Sequence, residues 1–511
     1  MTTLTFDSIA EKALESMENT GKNIFLTWKA GTGKSTLLMH FLQTTEKNIA
    51  ILAPTWVAAL NIWWATIHSF FWFSPTVTVR QVKQKAKSKK WDPKFTELDA
   101  LVIDEISMVR ADMMDCMHEF LKIVRSSSKP FGGVQMIMIG DLYQLPPVVT
   151  SYEREFFQKE YSGPYFFDAK VIMQKTFDME FVELEKVYRQ SDQDFISILN
   201  AIRNKTLELK HLNKLNARVS KSIELSEWMV YLAGTNAQVD AINTEYLGKI
   251  NKPVTTHTAD ITWAVNPKQF PTDIKLCLKQ WAQVMFVAND LEGRWVNGTL
   301  GKIKKIEKDE ILVQIYGWDM VEVGHHNRKV SQFEYNPSKR RLDAHTVGTF
   351  SQIPLTLARA VTIHKSQWKT FDKVIIDLSS WIFAHGQTYV ALSRCRTLQW
   401  IQLTHSVKSS DVRLDYEVVR FLTSLQYEKS EALLSLDDKV KLIKEVIKKK
   451  WRVQMTYLKS QDVKSRRIFE PYKIGRMRYE EVYFLGVSGF CHTRGEERIF
   501  RVDRILEIEK I

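Results

Sequence analysis

Glycine is scarce in this sequence, with 20 residues in 511, about 4% where about 7% is usual. Tryptophan runs the other way, with 15, and the two counts together come to about the ordinary glycine share. That arithmetic suggests that many tryptophans stand in places glycine would take. Cysteine is sparse too. Cys116, Cys277, Cys395 and Cys491 lie far apart and form no C-x-x-C pair, which argues against a disulfide framework or zinc site and for reduced, buried thiols. No run of about 18 apolar residues occurs, so no membrane-spanning helix is expected. The start, "MTTLTFDSIAEKALESMENTGKN", is acidic and amphipathic, without the basic start and apolar core of a secretory signal. The expected compartment is the cytoplasm. Neither an internal repeat nor a low-complexity segment is present.

What is there describes a globular chain: 44% hydrophobic and 26% charged residues, long enough for three or four domains. A net charge of +13 favours a polyanionic partner. Three apolar runs end in polar residues: "NIFLT", "ALVIDE" and "VQMIMIGD". Separated by helical stretches, they predict an α/β fold whose parallel sheet carries ligands at its carboxyl edge. Residues 74–97 are polar and lysine-rich and are expected to form a protruding hairpin or loop. A β-rich stretch from about 275 to 345 alternates apolar and polar residues and suggests a small barrel inserted in a second αβ series.

The first run leads into "TWKAGTGKST". The pattern G-x-x-x-x-G-K-[ST] wraps phosphates in backbone amides at a helix N-terminus. Here Ala30, Gly31, Thr32, Gly33, Lys34, Ser35 and Thr36 supply it, but Trp28 stands where the first glycine belongs. Lys34 would reach the β- and γ-phosphates of ATP, and Ser35 would bind Mg²⁺. "VIDE" adds Asp104 to hold the metal and Glu105 to orient and deprotonate the attacking water. "GDLYQLPP" adds Gln144, a neutral side chain able to sense the γ-phosphate.

With these blocks in view, the chain resembles the Pif-type DNA helicases, close to the RecD-like helicases of the superfamily-one branch that moves 5′ to 3′. The resemblance runs from about residue 15 to 410 through "KAGTGKST", "APTWVAALNIWWATIHSFF", "LVIDEISMV", "GDLYQLPPV", "VYRQSDQDFISILNAIR", "AVTIHKSQWKTFDKV" and "YVALSRCRT". It implies two RecA-like domains, expected at 1–185 and 186–412, with ATP between them and single-stranded DNA across their top. Arg189 and Arg394 match the family's arginine fingers. Thr55, His68, Thr362, His364 and Lys365 match its DNA-contacting segments, while Phe70 and Phe71 read as core. The glutamine by which the family reads adenine has no counterpart in "FDSIAEKALE". Implied partners are single-stranded and tailed duplex DNA, without a membrane, and the chain is expected to be a monomer serving repair, recombination or genome maintenance. Two rival readings are a nucleic-acid-binding regulator whose phosphate site is degenerate and a RecD-like subunit of a nuclease complex.

After a helical linker at 413–435, residues 436–511 resemble the WYL domain through "YLKS", "RRIFEPYKIG" and "YFLGVSGFCHTRGEERIFRVDRI". This segment carries 19 Lys/Arg against 12 Asp/Glu, so +7 of the chain's +13. Tyr457, His492, Arg494, Arg501 and Arg504 are expected on its ligand face, with single-stranded DNA or a nucleotide-like effector as partner.

Nine tryptophans fall where the resembled motifs carry glycine: Trp28, Trp56, Trp63, Trp64, Trp72, Trp281, Trp368, Trp381 and Trp400. Inactivating mutations would not spare every catalytic residue and strike glycines alone. The pattern fits a source that reads UGA as glycine, translated with a table that reads it as tryptophan. Trp295 is expected to be genuine.

Overall fold

Six parallel strands form the first lobe, in the order β3-β2-β4-β5-β1-β6. They are β1 (Asn23–Trp28), β2 (Ile49–Ala53), β3 (Ala65–Thr66), β4 (Ala100–Ile103), β5 (Gln135–Ile139) and β6 (Met179–Leu184). The computed structural model describes residues 6–28, 34–54, 65–151, 153–184, 192–220, 226–262, 272–290, 292–307, 310–317, 320–339, 341–367, 369–378 and 384–511. β1, β4 and β5 are buried along nearly their whole length, as continuous apolar runs in a parallel sheet must be. Helix α1 (Ser8–Asn19) starts where the Asp7 carboxylate accepts the Ala10 N–H, and it buries Ala10, Ala13 and Met17. Helix α2 (Lys34–Thr44) follows β1.

The lysine-rich insert is helical, contrary to the hairpin or loop expected. It folds as α3 (Val79–Ser88), opened by a Thr78/Gln81 capping box, and the short α4 (Pro93–Thr96). Val82 and Ala86, one turn apart, bury their side of α3 against α5 (Ala111–Val124). Two apolar residues at helical spacing outweigh the charge around them, because Lys83, Lys87 and Lys90 stay in solvent. Phe70 and Phe71 are fully buried. The Phe71 ring lies 5.2 Å from Phe73, 5.6 Å from Phe95 and 5.3 Å from Phe120. Truncating one such ring costs about 3–5 kcal/mol.

In the second lobe, α6 (Gln193–Arg203) precedes β7 (Val230–Ala233) and α7 (Asn236–Lys249). Its chain then enters an antiparallel excursion wider than the expected window: β8 (Val254–Thr258), β9 (Asp260–Thr262), β10 (Lys275–Lys279), β11 (Gln283–Phe286), β12 (Leu300–Ile306), β13 (Ile311–Ile315), β14 (Met320–Val323), β15 (His326–Asn336), β16 (Arg341–Gln352) and β17 (Leu355–Leu357). Among the described residues these pair as β14-β13-β12-β11-β17, β15-β16-β9 and β10-β8. Trp295 is buried in their core with its ring stacked 4.5 Å from Phe286. The αβ pattern resumes with β18 (Ala360–Thr362), β19 (Val374–Ile376), α8 (Gln387–Leu392) and β20 (Ile401–Leu403), giving a parallel sheet β18-β7-β19-β20.

Residues Leu414–Ile511 form a separate unit, together with Asn204–Thr206. The expected linker is helix α9 (Tyr416–Leu433), and it belongs to this unit. Its Ser430 hydroxyl, buried, donates to the Leu506 carbonyl at 2.6 Å and accepts from Lys439 at 2.7 Å. Helix α10 (Leu436–Lys449) then packs on the sheet β24-β23-β22-β21-β25, made of β21 (Val453–Lys459), β22 (Val463–Tyr479), β23 (Val482–Cys491), β24 (Glu496–Arg501) and β25 (Ile505–Lys510).

Candidate active site

The strand order brings β4, β5 and β1 side by side, so the segments after them share one sheet edge. Lys34 opens α2 there and donates to Asp104 at 2.8 and 3.1 Å and to Glu105 at 2.7 Å. Burial alone would lower Lys34, but Asp104 and Glu105 beside it more than offset this and hold the ammonium above its ordinary range. Burial pushes the Asp104 carboxyl up, against the pull of Lys34. Glu105 has left-handed backbone, φ 52°, a conformation that costs a non-glycine residue on the order of 1–3 kcal/mol and clusters at functional sites. Gly140 lets this turn close, since a Cβ there would meet Ile106 at 2.8 Å.

Gln144 is buried, and its amide donates to Asp141 at 3.2 Å. The second lobe reaches the same edge. The Gln367 amide donates to Glu105 and to the Gln144 side-chain oxygen, both at 3.4 Å. Arg203, at the end of α6, lies 3.5 Å from Asp141 and stacks 3.9 Å from the Tyr143 ring. Burial disfavours the charge on Arg203, yet Asp141 and Tyr143 hold it above its usual range, while burial raises Asp141. At Gly386, φ 77°, a Cβ would fall 2.1 Å from the Gln144 carbonyl, so the lobes' backbones meet there. His385 Nε2 lies 3.0 Å from the Leu142 carbonyl.

Sequence reading missed Gln367, Asp141 and Arg203. Gln367 sat inside the quoted "TIHKSQ" and Asp141 at a strand end already noted for its polarity. For Arg203, nothing in "ILNAIR" distinguishes it from a surface arginine. Of the expected residues, Lys34, Asp104, Glu105 and Gln144 come together, and Thr36 is exposed. Ala30, Gly31, Thr32, Gly33, Thr55 and Arg189 lie outside the described residues, as do Trp56, Trp63, Trp64, Trp368, Trp381 and the Ser35 side chain. Arg394 is fully buried; it donates to the carbonyls of Ser366 (3.4 Å) and Gln367, to Val390 (2.8 Å) and to the Ser393 hydroxyl (2.8 Å). In this arrangement it braces the turn that presents Gln367 to the first lobe. Trp28 ends β1 buried, its ring 4.8 Å from the Lys34 ammonium.

Of the DNA-contact candidates, Thr362 is buried, with its hydroxyl accepting the Lys365 N–H at 3.1 Å, and Lys365 is exposed. Burial lowers both His364 and His68, so each is neutral near pH 7, with Arg110 adding to the effect at His68. In the C-terminal unit the expected residues have these neighbours. Tyr457, Arg501 and Arg504 lie around Tyr427, and Arg501 is paired with Asp503 at 2.6 and 3.0 Å. His492 instead contacts Glu470 at 3.1 Å, and Arg494 joins Arg467 and Arg498 near Lys459, whose ammonium is lowered by burial and by these neighbours. Arg467 is buried, and among the described residues its Nε has no hydrogen-bond partner.

Comparison with known proteins agrees with this architecture. The family model described as PIF1-like helicase matches residues 3–212, and the WYL domain model matches 438–510. Human ATP-dependent DNA helicase PIF1 is 34% identical over 430 residues, covering 82% of this chain and 64% of the human protein. The chain thus spans less than two thirds of that relative's length. The ATP-dependent DNA helicase Pif1 of Bdellovibrio bacteriovorus is 31% identical, covering 75% of this chain and 84% of its own. The crystal structure of Bacteroides sp Pif1 in complex with ADP-AlF4 superposes with a TM-score of 0.74 at 32% identity, covering 83% of this chain and 98% of the other. Identity of 31% to a relative covered over 84% of its length, and a TM-score of 0.74 at 32% identity over 83% of this chain, place it in the Pif1-like helicase family, with a WYL domain following the two lobes.

Proposed function

We propose that this protein is an ATP-dependent DNA helicase that translocates 5′ to 3′ on single-stranded DNA and unwinds tailed duplexes. The observation that carries the reading is the Lys34–Asp104–Glu105 cluster facing Gln367 of the other lobe. Its donor set suits Mg²⁺ and a triphosphate: a buried ammonium for phosphate oxygens and a buried carboxylate for the metal. Bound Mg²⁺ would draw charge from the phosphates and favour transfer of the terminal phosphoryl group to water. Lys34 exchanges its carboxylate partners for phosphate. Glu105, held in its left-handed turn, orients the attacking water and takes its proton. Gln144 and Gln367 meet across the lobe interface, where loss of the γ-phosphate would alter their hydrogen bonds. The buried Asp141–Arg203 pair ties both lobes to this edge, so hydrolysis is coupled to their relative motion. Arg189 supplies transition-state charge, and Arg394 acts either directly or through the Gln367 turn it braces.

On the DNA side, Lys365 supplies charge, while neutral His68 and His364 donate hydrogen bonds and Thr362 shapes the turn. Thr55 belongs to the same set. In the C-terminal unit, Lys459, Arg467, Arg494 and Arg498 favour an anionic partner, with single-stranded DNA first and a nucleotide-like effector second. The protein works as a cytoplasmic monomer.

One position opposes the fit. An indole at residue 28, 4.8 Å from the Lys34 ammonium, stands where the phosphate-binding pattern has glycine, so the chain with Trp28 is expected to bind ATP weakly. The test is unwinding of 5′-tailed against 3′-tailed duplexes by protein carrying glycine at position 28, with Lys34→Ala beside it. Unwinding that survives Lys34→Ala would reject the ATP-driven mechanism. DNA binding without ATPase activity would favour a regulator with a degenerate site, and a co-purifying nuclease would favour a RecD-like subunit.

A further inference from the structure

Twelve described residues other than glycine have positive φ, and four of them are tryptophans: Trp72 (54°), Trp91 (63°), Trp228 (67°) and Trp281 (76°). Only eight tryptophans lie among the described residues, so half occupy a backbone region that bulky side chains avoid. Chance placement of one residue type does not give this.

The local geometry is more specific still. Trp91, Trp228 and Trp281 each sit third in a four-residue turn. The closing bonds run from Asp92 N–H to Lys89 at 3.0 Å, from Met229 N–H to Ser226 at 3.4 Å, and from Ala282 N–H to Lys279 at 3.1 Å. A positive φ at the third position of a turn is the condition that selects glycine. Trp72 ends the short helix Ile67–Phe71 in the left-handed conformation, with Phe73 N–H returning to the His68 carbonyl at 2.8 Å. That is the helix-terminal position at which glycine dominates.

Two of the four side chains, Trp91 and Trp281, agree with the backbone, whereas Trp72 and Trp228 rest against Phe95 and Tyr316. Trp91 is 60% exposed beneath the Lys90 ammonium, and Trp281 is 40% exposed beneath those of Lys302 and Lys304. Trp295 is the contrast: 7% exposed, stacked on Phe286, and absent from the positive-φ set. It is used as a tryptophan.

We propose that the functional protein carries glycine at positions 72, 91, 228 and 281, the codon at each being UGA read as glycine. Two of these, 91 and 228, lie outside the motif-derived set and rest on backbone geometry alone. Position 28 would follow by the same decoding, and that step alone depends on the proposed ATPase function.

The test is tandem mass spectrometry of the protein isolated from its source cells, reading the peptides that span the four positions and position 295. Glycine at all four with tryptophan at 295 is expected; tryptophan at any of the four overturns the proposal. A second measurement uses recombinant protein: the chain with Trp72→Gly, Trp91→Gly, Trp228→Gly and Trp281→Gly together should melt several degrees above the chain as written. An unchanged or lower melting temperature would also overturn it. Trp28→Gly alone, assayed for ATP binding, tests the motor reading separately, so the two ideas can fail independently.

Discussion

The nucleotide edge and the basic surface of the C-terminal unit handle charge in opposite ways. At the edge, Lys34, Asp104, Glu105, Asp141 and Arg203 are withdrawn from water and matched with one another. In the C-terminal unit, Arg498 and Arg501 are half-exposed and paired with near neighbours, Glu496 and Asp503. Buried pairs cost heavily when one member is lost, whereas exposed pairs contribute little. Under the proposed function, the edge exchanges partners between a few defined states, and the C-terminal surface meets an anion without prior arrangement.

The largest expected effect tests the edge. In the chain with glycine at 28, Lys34→Ala should lower DNA-stimulated ATPase activity by about 10²–10³-fold, the scale of losing one transition-state donor. A phosphate-release assay checks this. Next comes the bond between lobes: Arg203→Ala leaves Asp141 buried without its cation and should cost about 3–5 kcal/mol, read by urea unfolding. Arg203→Ala with Asp141→Asn should recover part of that loss, which would separate pairing from packing. Gln367→Ala should reduce ATPase turnover by roughly tenfold and leave single-stranded DNA affinity within a factor of two or so, as measured by fluorescence anisotropy.

A pH effect sharpens the contrast between buried and exposed lysines. Burial among aromatic rings lowers Lys94 to about 7, although Asp92 opposes this. Between about pH 7 and its ordinary value of 10.5 the folded protein binds fewer protons there than the unfolded chain. Stability from this site therefore rises with pH through that window and is lost as pH falls toward 7. Thermal melts at pH 7 and 9 should show the rise, and Lys94→Met should flatten it. The smallest effect belongs to the C-terminal surface. Arg498→Ala should weaken single-stranded DNA binding by less than about tenfold and reduce the salt slope by about one, leaving DNA-independent ATPase activity unchanged.

How much was legible in the sequence differs between these regions. Lys34, Asp104, Glu105 and Gln144 could be placed because each follows an apolar strand, and parallel strands bring their ends to a common edge. Gln367 and Arg203 could not, since their roles come from the meeting of two lobes more than 200 residues apart for Gln367 and Gln144. The helical insert was obscured because lysine content hid a two-residue apolar stripe. In the C-terminal unit, motif spacing could not show that His492 meets Glu470 or that Arg494 stands by Lys459, because both contacts join segments distant in the chain.

By itself the sequence determined the strand-end chemistry, the family and the anomaly of its tryptophans, because these depend on local spacing and on counts. Only the tertiary structure decided which charges are buried, which residues join the lobes and which tryptophans stand on glycine's backbone. Burial and long-range contact are properties of packing, and φ is set by the turn a residue must close rather than by its neighbours' identities.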